Sequence, residues 1–171
     1  MKRTVYFHED DYCQIEILPL SAKKFCLQQI SEIFGFAEKH TEEYGFSDIY
    51  IRNESPHSIQ EVGISHEKIS EILDFLPEFD KVVSEYTENS QLVFSRGINN
   101  HTAVFWEKDE DNIISAMWLG GMYIVPENCH IWRKILTVLG NTAPLMLADW
   151  NAGICIDLTN AEEIENYIRS Y

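Results

Sequence analysis

Apolar and polar positions are patterned most sharply between residues 102 and 123. Two apolar runs, 102–106 and 113–119, flank a polar, acidic turn at 107–112. Both runs are rich in β-branched and aromatic residues, which predicts an antiparallel hairpin. Neither run alternates cleanly. Val104 and Trp106 oppose Ala103 and Phe105 in the first; Ile114, Ala116 and Trp118 oppose Ile113, Met117 and Leu119 in the second. Strands that are apolar on both faces are covered on both sides, so this hairpin is expected at the centre of a sheet.

The remaining segments fall around it. Residues 3–18 read as one strand with a bulge, or as a hairpin turning at 9–11, closed by Pro19. Ala22, Cys26, Ile30, Ile33 and Ala37 form one stripe at helical spacing, widened by Leu27 and Phe34, which predicts a helix over 21–40 with Ser21 as its N-cap. Gly35 is expected to end or kink it. Residues 46–52 read as a short strand with Phe46, Ile49 and Ile51 as its apolar positions. A second helix is predicted over 65–76, capped by Ser65, buried through Ile69, Ile72, Leu73 and Leu76, and stopped by Pro77.

Residues 81–86 suit a strand, a helix or a loop, and 92–95 a short strand. Gly120-Gly121 permits a bend or bulge. A third helix is predicted over 127–139, with Gly140 as its stop. Residues 145–150 and 154–158 form a last hairpin around Asn151, Ala152 and Gly153. Asn160 then caps a helix over 161–170, with Glu163 placed as in a capping box and Ile164, Tyr167 and Ile168 facing inward. Hairpins outnumber crossover units. The expected fold is therefore α+β: a mainly antiparallel sheet with about four helices packed on it, a single domain over 1–171.

Composition changes this picture little, but charge changes it more. The chain is 45% hydrophobic and 12% aromatic, too rich in both for a disordered acidic tail. Its 28 acidic residues against 13 basic ones leave a net charge of −15. Such a field repels nucleic acid and anionic membranes and attracts a basic partner. The N-terminus lacks the apolar run of a secretory signal, and no stretch reaches the ~20 apolar residues of a membrane span. A cytoplasmic protein is expected, with Cys13, Cys26, Cys129 and Cys155 as reduced, buried small hydrophobes.

Sequence motifs for chemistry are lacking. There is no phosphate-binding glycine loop, no HExxH, no CxxC and no GxSxG. Asp109-Glu110-Asp111 begins like a calcium loop, but Ile113 stands where the next ligand belongs and no glycine follows. Neither a metal nor a cofactor is expected. Cys129-His130 is the one adjacent Cys/His pair, yet helix neighbours point apart, so His130 is badly placed as a base for Cys129. His8 beside Glu9, Asp10 and Asp11 lacks a second histidine at ligand spacing and reads as a solvated acidic turn. Trp106 and Trp118 are expected in the core, and Trp150, between Asp149 and Asn151, is expected to be exposed.

The opening VYFHEDDYCQIEILP and the acidic turn WEKDEDNI resemble immunity proteins of bacterial toxin–immunity systems, such as those of contact-dependent growth inhibition. The likeness is of type, over the whole chain. It implies a small cytoplasmic protein, not an enzyme, that neutralises a cognate basic toxin domain, frequently a nuclease. The expected contact residues are Glu107, Asp109, Glu110 and Asp111 on the turn, Glu9, Asp10 and Asp11 near the N-terminus, and the aromatics Tyr12 and Trp150 as anchors. The alternatives are an enzyme of unrecognised type using carboxylates or Cys129, and a structural or regulatory subunit with a self-complementary apolar patch.

Overall fold

A computed structural model describes residues 3–8, 12–84, 93–99, 102–121 and 124–171. The strands are β1 Thr4–Tyr6, β2 Ile15–Pro19, β3 Thr41–Glu42, β4 Gly45–Phe46, β5 Lys81–Val83, β6 Val93–Gly97, β7 Ala103–Lys108, β8 Ile114–Gly120, β9 Leu145–Asp149 and β10 Ile154–Asp157. The helices are α1 Lys23–His40, α2 His66–Ile72, α3 Cys129–Thr142 and α4 Ala161–Arg169. Six strands make one antiparallel sheet in the order β10-β9-β2-β8-β7-β6. The fold is α+β, as the pattern of hairpins predicts.

Both faces of that sheet are covered. On one, Ile17, Val104, Trp106, Met117, Leu119, Leu145 and Leu147 pack under α2, α3 and α4. The other face is covered in two pieces. Leu18, Met146, Ala148 and Trp150 meet α1 through Cys26 and Ile30, and the turn before it through Ala22. Ala103, Phe105 and Trp118 meet β1 and β5, which pair in parallel as a separate two-stranded sheet, through Val5, Phe79 and Val82. The hairpin β7–β8 is therefore buried on both sides, and Phe105 and Trp118 stack within it at 5.5 Å. β8 is interior, and β7 stands one strand in from the edge strand β6.

One detail of the hairpin departs from simple alternation. Glu107 pairs with Ala116 and Lys108 with Ile114, so Ser115 is an extra residue in β8. The bulge reverses the side-chain phase. Ile114 thus joins Met117 and Leu119 under the helices instead of Trp118 on the far side.

Other expectations are corrected by contacts far away in sequence. Residues 3–18 form neither one strand nor one hairpin, because β1 and β2 belong to different sheets. Ser21 caps nothing: Pro19 leads into a 3-10 turn, Leu20–Ala22, and α1 begins at Lys23 without a side-chain cap. The backbone N–H of Leu20 instead donates to Pro144. Gly35 does not end α1, which runs on to His40 with Lys39 and His40 at its negative end. Residues 81–83 resolve as strand because β1 lies alongside. The stretch 46–52 is not a strand: only Gly45–Phe46 pairs, with Thr41–Glu42, and Ile49 and Ile51 face solvent. The caps Ser65 and Asn160 hold, accepting from Lys68 N and from Glu162 N and Glu163 N. Glu163 does not complete the expected box. Its carboxylate takes the N–H of Asp157 and the ammonium of Lys23, clamping α1 and α4 around the β10 edge.

Gly140 does not stop α3, which continues to Thr142. It is there for space. A Cβ at this position would lie 1.8 Å from the carbonyl oxygen of Leu158, so the helix can pass that backbone only without one. A main-chain atom cannot swing aside as a side chain can. Gly140→Ala is expected to destabilise the protein by about 3 kcal/mol in urea unfolding, although alanine is the better helix former. A neutral or stabilising result would contradict this packing.

Candidate functional site

Among the described residues, the sequence-predicted contact residues do not form one surface. Glu110 and Asp111 are exposed at the hairpin tip. Asp109 serves the turn itself: its carboxylate accepts from Asp111 N and Ile113 N, both at 2.9 Å, and from Gln60 Nε2. Asn112 takes a left-handed conformation with φ 64°, and its side chain accepts from Lys108. The tip is thus a shaped turn carrying two free-standing carboxylates. Glu9, Asp10 and Asp11 lie outside the described residues.

Glu107 points the other way from the tip, onto the face shared with Phe105 and Trp118. It is half-buried there, and loss of hydration raises its carboxyl above the ordinary range. Its charge reaches Tyr12 and Cys13. Tyr12 lies edge-on to Trp118 at 4.8 Å, with part of its ring in solvent, and burial raises its phenol. Cys13 is buried beside it, held at φ 53°, and burial pushes its thiol up to about 12. A thiol so shifted is inert at neutral pH.

Trp150 is buried, only 8% exposed, contrary to the expectation of an exposed anchor. Two residues distant in sequence account for it. Its indole N–H donates to Glu16 Oε2 at 3.2 Å, and the Arg52 guanidinium lies 4.0 Å over its ring. Arg52 also reaches the same Glu16 oxygen at 3.5 Å. Burial raises the Glu16 carboxyl, while Arg52 and the indole pull the other way. Glu16 and Arg52 escape a reading based on motifs. One signal was present: a lone carboxylate inside the apolar run Ile15, Ile17, Leu18.

These residues sit at a defect in the sheet. β2 and β8 pair only at Glu16 and Trp118. Beyond that pair the strands part, leaving a cleft of about 270 Å³. Ile17 and Leu18 line one side, Ser115, Ala116 and Met117 the other, and residues 52–59 close it. The cleft does not include His8 or Cys129. Cys129 Sγ donates to the carbonyl of Pro126, while His130 is exposed. Among the described residues no group of three or more His, Cys, Asp and Glu side chains is arranged to hold a metal ion. None of the described helices is long and apolar enough to cross a membrane.

No known protein family, characterised protein or solved structure matches this chain.

Glu107 is a carboxylate that the fold would be easier without. In the folded state its pKa is raised; in the unfolded chain it is ordinary. The protonated form is therefore favoured by folding. The contribution it makes is fully present below the unfolded value of ~4.5 and is lost as pH rises through the folded one. Glu107→Gln is expected to raise the melting temperature at pH 7, with the gap closing as pH falls below ~4.5. Thermal melts of both proteins across that range check it. A variant less stable than the parent at pH 7 would show that the charge is paired rather than merely desolvated.

Proposed function

We propose that this protein binds and neutralises a basic toxin domain, a nuclease by preference, by covering the active site or substrate groove with an acidic surface. What carries the reading is the placement of charge. The exposed carboxylates Glu110 and Asp111 stand at the end of a hairpin buried on both faces. The chain as a whole carries −15. A surface that grips nucleic-acid phosphates is positive, and a stiff array of carboxylates competes for it directly. Long-range attraction would speed encounter, and the array would fix the register of docking. Charges farther apart than the ~8 Å screening length at physiological salt would contribute little, so contact residues dominate the bound state. This is a binding role in the cytoplasm, without catalysis or cofactor.

One observation favours an enzyme instead: Glu16 has a raised pKa and lines a cleft. Its Oε2, however, already meets both Arg52 and Trp150, which suits an anchor that joins residues 52–59 to the sheet.

The test is binding to the product of the adjacent upstream reading frame, with growth protection as the second readout. Tight, salt-sensitive binding is expected. Reversal of Glu110 and Asp111 to lysine should weaken it about tenfold or more, chiefly through association rate. Glu16→Gln should leave it intact. No binding to that product, or binding indifferent to both charge reversals, would remove the reading.

A further inference from the structure

The strand pattern at residues 46–52 is real, but beyond Phe46, which pairs with Thr41, none of the described residues pairs with it. From residue 49 to 55 the chain runs without turn, bend or ladder. Its side chains still alternate. Tyr50 turns inward: its hydroxyl donates to Glu32 Oε2 at 3.0 Å, and its ring packs on Phe36 at 5.4 Å. Arg52 turns inward onto Trp150 and Glu16. Ile49 and Ile51 turn outward and are 84% and 85% exposed. Beside them Tyr44 and Phe46 are 92% and 69% exposed. The segment is held in place all the same. Gln29, buried on α1, accepts from the backbone N–H of Asn53 at 3.0 Å, so the alternation is tethered at both inward positions and just beyond them.

Proteins usually guard such an edge with lysine, proline or a bulge, because exposed apolar strand positions invite pairing. Here two isoleucines occupy them, flanked by the exposed carboxylates Glu42, Glu43, Asp48 and Glu54. Among the described residues, no backbone–backbone hydrogen bond uses residues 49–52. The Ile49 N–H is taken by the Asp48 side chain at 2.8 Å, and among the described residues no hydrogen bond uses the backbone of residues 50–52. A tethered segment with that stretch of main chain open and two outward isoleucines has what strand addition requires.

We propose that residues 48–53 form a docking edge for a strand of a partner protein whose apolar side chains are flanked by lysine or arginine. This deepens the reading above by naming a surface and the partner's chemistry. Charge selects the occupant. A second copy would bring −15 against −15 and set the same four carboxylates opposite each other. A basic strand would bury Ile49 and Ile51 against apolar side chains and lay cations on Glu42, Glu43, Asp48 and Glu54.

The test needs no cognate toxin. The isotope-labelled protein is titrated with a capped synthetic heptapeptide of alternating lysine and valine, followed by NMR. Saturable shifts at residues 48–53 are expected. Binding should weaken at least tenfold in the Ile49→Ser, Ile51→Ser double variant and stay unchanged in the Glu127→Gln variant, whose exposed side chain lies just before α3. Both sets of side chains are exposed, so the variants should fold, and circular dichroism checks that they do. No binding, shifts elsewhere, or equal binding of a lysine–serine peptide of the same charge would overturn the proposal. So would a dimer, seen by light scattering, that the double serine variant dissolves. Failure here leaves the toxin-binding reading to the upstream product, and failure there leaves this edge to the peptide.

Discussion

Burial of the β7–β8 hairpin on both faces is the constraint on which the rest of the structure depends. Trp106 faces α2, α3 and α4, while Phe105 and Trp118 face β1 and β5. Removing a side chain of this size from a core costs about 3–5 kcal/mol, a large share of a domain's stability. Each layer is therefore needed to dry one face of the same two strands. The parallel pair β1–β5 would have little reason to form alone, since two short strands do not bury enough surface to stand in water. It exists as a lid over Phe105 and Trp118. Around the β10 edge, Lys23 and Glu163 tie the two layers to each other.

Much of this was legible because it is local. The Ala22, Cys26 and Ile30 stripe leading into and along α1, the caps Ser65 and Asn160, the loop at Gly153 and the double apolarity of the hairpin each follow from neighbours within a few residues, whereas Leu27 and Phe34, expected to widen the stripe, are exposed. What was not legible depends on distant partners. Trp150 looks exposed between Asp149 and Asn151 until Glu16, 134 residues away, accepts its N–H. Gly140 looks like a helix stop until the Leu158 carbonyl is seen lying where a Cβ would go. The phase of Ile114 depends on a bulge that alternation cannot announce. Residues 46–52 carry a strand's pattern, but pattern reports which side chains can face a partner, not whether one is there.

The candidate surfaces differ for the same physical reasons. At the tip, Asp109 gives its oxygens to the turn, which leaves Glu110 and Asp111 presented by a fixed backbone. Glu107 lies half-buried on a face that also holds Tyr12, where loss of hydration raises its carboxyl. The arm at 48–53 differs in kind, because the side chains it exposes at its centre, Ile49 and Ile51, are apolar.

The doubly covered hairpin is the rigid support from which the tip carboxylates are displayed. Native-state hydrogen exchange tests it most directly. Amides of β7 and β8 should be the slowest in the molecule and open only with global unfolding, while the arm at 49–52 exchanges freely. If β7 and β8 exchanged through a lower-energy opening while β9 and β10 stayed protected, the support would lie elsewhere and the account would fail.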